Sequence, residues 1–194
     1  VIIDSFGKAF TLPIHKLPSA RGQGDPVSSS INSQSGSTFA GVVAGTEEDY
    51  CVLTANNGYG FIAKIEELQT KNKSGKTALN TKGAIPLGPE KLTSIEDSYI
   101  AAITEEGKML LIEANDLPVL AKGRGNKIIN IDKKRFEAKE NRLIFLKTLN
   151  KGDNLKIYSG KQSYMIKSKD LENFVGSRGR KGNFLPKGYR RVDK

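Results

Sequence analysis

The chain has 194 residues, a formal net charge of +10, 20 glycines, no tryptophan and a single cysteine. That length allows a real core, and the spread of Ile, Leu, Val and Phe excludes general disorder. One cysteine excludes an internal disulfide framework, and no apolar run approaches the length of a membrane span.

The charge is unevenly placed. Residues 1–120 carry 10 Lys+Arg against 14 Asp+Glu, a net of −4, and residues 121–194 carry 21 against 7, a net of +14. A positive field confined to the last 74 residues points to an anionic partner, nucleic acid or anionic lipid. Glycine abundance without tryptophan points to a turn-rich, all-β protein. No signal peptide is visible, and a start at Val1 rather than Met suggests a fragment of a larger protein.

In chain order, residues 1–12 give two short apolar strands around a polar turn at Ser5–Lys8, a hairpin signature. Leu17-Pro18 leads into Ser19-Ala20-Arg21-Gly22-Gln23-Gly24, a glycine-rich basic loop, and Pro13, Pro18 and Pro26 exclude a long helix there. A Ser/Gly/Asn-rich loop over 27–38 precedes a strand at Phe39–Ala44, then an acidic turn at Glu47-Glu48-Asp49. The hairpin returns as Cys51–Ala55 and Tyr59–Ala63 around Asn56-Asn57-Gly58. Leu68 and the basic stretch Lys71–Lys76 follow. It returns again as Tyr99–Thr104 and Met109–Ile112 around Glu105-Glu106-Gly107, followed by Leu117 and Lys122-Gly123-Arg124-Gly125-Asn126-Lys127. Ile128–Ile131 and Leu143–Leu146 read as strands, and the charged Asp132–Asn141 between them as a helical turn or a loop. A fourth copy has Leu155–Tyr158 and Ser163–Ile166 around Ser159-Gly160-Lys161, then Leu171 and Gly176-Ser177-Arg178-Gly179-Arg180-Lys181-Gly182. The basic end, Phe184–Lys194, is expected to lie against the first unit or to fray.

The turn glycines Gly7, Gly58, Gly107 and Gly160 recur about every 50 residues. A trailing leucine (Leu17, Leu68, Leu117, Leu171) and a loop glycine (Gly22, Gly75, Gly123, Gly179) follow each at similar spacing. A period of that size with several strands per unit reads as blades of a propeller-like array, since one small sheet cannot bury its own faces. The repeats fall at roughly 1–45, 46–95, 96–148 and 149–194, within a single domain spanning 1–194.

Equivalent loops in a circular array lie on equivalent parts of its rim, so four basic loops make one curved track suited to DNA. The expected contacts are Arg21 in the first loop, Lys71, Lys73 and Lys76 in the second, and Lys122, Arg124 and Lys127 in the third. Arg178, Arg180 and Lys181 form the fourth, supported by Lys187, Arg190 and Arg191. Gly22, Gly24, Gly75, Gly123, Gly125, Gly179 and Gly182 let backbone N–H groups approach phosphates.

Other motifs are set aside. Gly75-Lys76-Thr77 resembles a phosphate-binding loop, but Thr70 stands where that pattern needs glycine. Asn72-Lys73-Ser74 fits a glycosylation sequon without secretory context. His15 is the sole histidine and has no metal-ligand neighbours in sequence, so no metal site is expected. Cys51, in an apolar run, is expected to be a buried thiol. The acidic pairs Glu47-Glu48 and Glu105-Glu106 are expected to be solvated turns. No catalytic residue is assigned.

The strings Leu17–Pro26, Gly58-Tyr59-Gly60-Phe61, Lys122–Ile131 and Gly176–Gly182 resemble the C-terminal domains of the ParC family, the A subunits of bacterial topoisomerase IV. The resemblance covers essentially the whole chain. It implies a β-pinwheel, a propeller-like array of four-stranded blades with strand exchange, in an open or broken ring whose first blade precedes this chain. It also implies a non-catalytic domain that binds and bends double-stranded DNA for decatenation and supercoil relaxation in a bacterial, cytoplasmic, nucleoid-associated enzyme. Cleavage would use an Arg-Tyr pair elsewhere in the longer polypeptide; here Tyr189-Arg190 has the reverse order. The implied partners are the rest of that polypeptide and the ParE subunit in an A2B2 holoenzyme, with ATP and Mg2+ used outside this domain and no cofactor within it. The alternative is a gyrase-type wrapping domain, although the longer basic box of that relative has no counterpart here. A protein-interaction module or a propeller-like enzyme is a further alternative.

Overall fold

The computed structural model describes residues 1–19 and 21–193; Ala20 of the first loop and Lys194, the end of the fourth repeat, lie outside the described residues. In the first repeat, β1 (Ile2–Asp4) and β2 (Lys8–Phe10) precede β3 (Phe39–Val42). The second contains β4 (Tyr50–Thr54), β5 (Tyr59–Lys64), α1 (Ile65–Leu68), β6 (Lys76–Thr77) and β7 (Glu90–Leu92). The third contains β8 (Ser98–Thr104), β9 (Lys108–Glu113), β10 (Asn126–Lys127), α2 (Lys133–Glu137) and β11 (Leu143–Asn150). The fourth contains β12 (Leu155–Ser159), β13 (Gln162–Ile166), α3 (Ser168–Leu171) and β14 (Asn183–Phe184).

Three sheets have four antiparallel strands, in the orders β3-β1-β2-β6, β10-β5-β4-β7 and β11-β8-β9-β14. Each is a hairpin flanked by a strand of its own repeat on one side and by a two-residue strand from the next repeat on the other. A lone hairpin is marginal in water, so the exchanged strand adds both pairing and a covalent tie between neighbours. The fourth sheet is only the pair β12-β13, because no further repeat supplies its outer strand within the described residues. Among those residues no strand pairing joins the first sheet to the last, and the array is open.

The central strands are apolar on both faces because each face meets a different neighbour. Leu53 of β4 packs toward the first sheet with Ile3, Phe61 and Leu79. Val52 packs the other way, with Ile100, Ala102 and Ile112. Ala101 and Ile103 of β8 meet Ile157 and Ile166 of the fourth sheet. Period-two alternation is thereby split between two cores, which is why β4, β5, β8 and β9 read as nearly unbroken apolar runs.

The four turn glycines sit at φ +79, +81, +80 and +60, a region costly for other residues. In three of them the segment after the exchanged strand closes the turn. Leu79 N donates to Gly7 O (2.9 Å), Ile128 N to Gly58 O (2.7 Å) and Leu185 N to Gly107 O (2.9 Å).

Several expectations change. Leu68, Leu117 and Leu171 are 0–4 % exposed, but Leu17 is 50 % exposed, since the first repeat has no earlier sheet to cover it here. Ile128–Ile131 is a bent crossing between blades rather than a strand. Its isoleucines are buried, and its backbone bonds go to different elements. Asp132–Asn141 contains the helix α2, with the Asp132 carboxylate accepting from Arg135 N at its start. As far as Asp193, the basic end neither frays from nor lies on the first sheet. Asn183 and Phe184 pair with β9, Tyr189 stacks on Tyr164, and Asp193 N donates to Tyr158 O (2.8 Å). Cys51 is fully buried, and that burial pushes its thiol up to about 12.

The Glu105-Glu106 turn is tied down rather than simply solvated. Glu105 pairs with Arg142 (2.8 Å), and Glu106 with Arg135 (2.8 Å) and Lys108 (3.3 Å). Burial raises the Glu106 pKa, but hydrogen bonds from Arg135 and Lys108 outweigh it and hold the carboxyl below its usual range. Its contribution is therefore complete above the ordinary unfolded glutamate value of about 4.3, and is lost as pH falls through the depressed folded value. Glu106→Gln is expected to lower stability near neutrality and flatten the acid limb of stability against pH, measured by urea unfolding between pH 3 and 7.

Candidate nucleic-acid interface

The exchanged strands place the basic loops. The second loop runs into β6, the third into β10 and the fourth into β14. A glycine stands immediately before each strand, at φ +69 (Gly75), +74 (Gly125) and +72 (Gly182). A Cβ there would meet the preceding sheet's backbone: Ala9 O at 2.9 Å, Gly60 O at 2.0 Å and Met109 O at 2.4 Å. The structural equivalents of Gly75 are thus Gly125 and Gly182, which shifts the register from Gly123 and Gly179. Gly24 has a matching φ of +74 but open space around it, as the first loop enters no sheet.

The loops are also bonded to one another. Gly123 N donates to Ala78 O (2.9 Å), and Asn80 N donates to Gly123 O (2.7 Å). One blade further on, Gly179 N donates to Ile128 O and Asn130 N to Arg180 O, both at 2.8 Å. The segment leaving loop two thus grips loop three, and the segment leaving loop three grips loop four. The segment leaving loop one reaches loop two in the same way, Asn32 N donating to Lys73 O (2.8 Å), but among the described residues Gly22 and Gly24 themselves take no part in the ladder.

The charge along this edge is uncompensated. Among the described residues, none of the thirteen expected cations lies within 4.0 Å of a carboxylate. The paired cations are others: Lys64, Lys91, Lys108, Lys133, Arg135, Arg142, Lys147 and Lys151. Arg21, Lys71, Lys73, Lys122, Arg124, Arg180, Lys181, Lys187 and Arg191 are exposed; Lys76, Lys127, Arg178 and Arg190 are half-buried. Three of the half-buried set hold the protein itself. Arg178 Nη1 donates to Lys127 O (3.1 Å), Lys127 Nζ to Asn130 Oδ1 (3.2 Å) and Arg190 Nε to Leu185 O (3.0 Å).

Two aromatic rings at this edge were not singled out from the sequence as interface residues. The Arg124 guanidinium lies 3.7 Å from the Tyr59 ring centroid, and Lys127 Nζ lies 5.7 Å from it. Arg190 and Lys108 flank Phe184 at 4.5 and 4.8 Å. The available signal was an aromatic directly after a turn glycine, in Gly58-Tyr59-Gly60.

The arrangement suits a polyanion held at several points. Among the described residues no group of three His, Cys, Asp or Glu is placed to hold a metal. His15 is exposed on a short helical turn, and no helix of the described residues is long and apolar enough to cross a membrane.

The family described as DNA gyrase C-terminal domain, beta-propeller, matches residues 49–95 and 98–137. The A subunit of DNA topoisomerase 4 from Pseudomonas aeruginosa is 43% identical over the whole chain, which spans 26% of that relative. The chain thus spans about a quarter of the length of the curated relatives it matches. The solved structure of the E. coli ParC C-terminal domain superposes with a TM-score of 0.86 at 31% identity, covering 100% of this chain and 78% of that one. A DNA gyrase A C-terminal domain superposes with a TM-score of 0.74 at 13% identity over 98% of this chain and 62% of that one, a likeness of fold alone.

Proposed function

The chain belongs to the family of C-terminal domains of the topoisomerase IV A subunit, and from that premise we propose that its basic edge binds duplex DNA without sequence preference and bends it. The observation that carries this reading is the run of three cationic loops, hydrogen-bonded edge to edge, without an acidic partner among the described residues. Lysine and arginine contacts to phosphate supply most nonspecific affinity. Bending DNA by 40–90° costs about 1–6 kcal/mol, which several phosphate contacts offset and one loop cannot.

In the larger protein this domain presents a DNA segment for strand passage in decatenation and supercoil relaxation. The chemistry lies elsewhere in that protein and in a ParE partner of an A2B2 assembly that uses ATP and Mg2+. A bacterial cytoplasmic, nucleoid-associated setting follows from that role. The repeat boundaries at 1–45, 46–95, 96–148 and 149–194, and an earlier blade in the longer protein, belong to the same proposal.

A salt titration of duplex binding tests the reading. With about five to eight phosphates neutralised, log K should fall against log[salt] with a slope of roughly −5 to −7. Failure to retard duplex DNA at low salt would overturn it. The match to the gyrase C-terminal family favours a second reading, a wrapping domain. Net introduction of negative supercoils by a holoenzyme carrying this domain would establish that reading instead.

A further inference from the structure

We propose that Tyr59 and Phe184 are positioning residues that hold Arg124 and Arg190 ready for phosphate; this rests on the DNA-binding reading above. The seam between hairpin and exchanged strand carries the same pair twice, with its members swapped. In the second sheet Lys127 of β10 lies opposite Tyr59 of β5. In the third, Phe184 of β14 lies opposite Lys108 of β9. Tyr59 and Lys108 each follow a turn glycine directly, so the positions correspond. In both seams an arginine from outside the pair completes the stack, Arg124 at 3.7 Å and Arg190 at 4.5 Å. The first seam pairs Lys8 with Thr77 and has no ring.

Packing of the core does not account for these rings. Phe184 is 49% exposed and belongs to none of the buried clusters, yet two cations cover it. A ring beneath a guanidinium occupies one face and leaves the in-plane N–H groups for a phosphate. It also restricts a long side chain before binding, which lowers the ordering cost on contact. Arg124 is exposed and makes no hydrogen bond within the described residues, so its donors are free. In Arg190 only Nε is used, by Leu185 O.

Fluorescence anisotropy of a labelled duplex, titrated with the 194-residue chain at several salt concentrations, tests this. Tyr59→Leu is expected to weaken binding by about three- to tenfold with an unchanged salt slope, because Arg124 and Lys127 still reach phosphate. Tyr59→Phe should bind like the parent. Arg124→Ala should reduce the slope by about 1. The double variant Tyr59→Leu/Arg124→Ala should bind no more weakly than Arg124→Ala alone, since the ring acts through the arginine. Phe184→Leu and Arg190→Ala should behave in parallel.

Parent-like affinity in Tyr59→Leu, losses that multiply in the double variant, or a reduced slope in Tyr59→Leu would each overturn the inference. If Tyr59→Leu does not fold, Arg124→Lys gives the same reading. It keeps the charge and loses the planar stack, so about threefold weaker binding at unchanged slope supports the proposal and parent-like binding overturns it. Absence of binding by the parent chain would instead overturn the DNA reading itself.

Discussion

Reversing Lys122, Arg124 and Lys127 together is expected to weaken duplex binding by about 100-fold or more at moderate salt, and to flatten the salt slope by roughly 3. Reversing Arg21 alone is expected to change affinity by only a fewfold. The reason lies in the ladder as much as in the number of charges. Loop three is gripped by Ala78 and Asn80 on one side, and its outgoing segment grips Gly179 and Arg180 on the other. Its cations are therefore held in line with both neighbours, whereas the first loop's Gly24 stands in open space and enters no sheet. Charges fixed along one contour can meet successive phosphates together, and a lone charge on a loop that enters no sheet among the described residues has more to order on contact. Anisotropy titrations of the two variants against salt check this directly. Equal losses would contradict a graded, coupled track. Thermal unfolding should move far less than binding in the triple variant, because among the described residues these three side chains make only the Lys127 Nζ bond to Asn130 and the Arg124 and Lys127 contacts with the Tyr59 ring.

The sequence carried the hairpins and the repeat because both depend on local chemistry. A glycine at positive φ in each turn and apolar runs on either side are visible without any neighbour. The exchanged strands were not legible from residue pattern. Lys76–Thr77, Asn126–Lys127 and Asn183–Phe184 are two residues long and polar or basic apart from Phe184, and they are strands only because a preceding sheet offers an edge. Ile128–Ile131 misleads for the opposite reason. Its isoleucines suit a strand, but their burial comes from crossing between two blades, with backbone bonds divided between Gly58 and the fourth loop. The thirteen cations were legible as a charge pattern. Their division into exposed groups and half-buried ties such as Arg178 was not, since the Lys127 carbonyl that Arg178 holds is 51 residues away.

The seam is also where a single methyl group should do most damage. Gly125→Ala is expected to destabilise the chain by roughly 3–5 kcal/mol, whereas Gly24→Ala should cost about 1–2 kcal/mol or less, although both glycines sit at φ +74. The shared φ imposes the same intrinsic penalty on alanine at the two sites. The difference is contact. A Cβ at position 125 would lie 2.0 Å from Gly60 O and 2.9 Å from the Phe61 Cβ, while at position 24 nothing lies within 4 Å. The clash is with backbone, so no side chain can rotate away, and β10 must lift from β5. Lifting breaks the Asn126–Gly60 and Lys127–Tyr59 pairings, and it pulls Ile128 from Gly58 O and from its buried position between the second and third sheets. It also releases Arg124 from Tyr59, so residual folded protein should bind DNA more weakly at an unchanged net charge. Urea unfolding of the two variants side by side separates the terms. Similar losses in both would mean that the backbone angle alone sets the cost, and that the exchanged strand contributes little to holding neighbouring blades together.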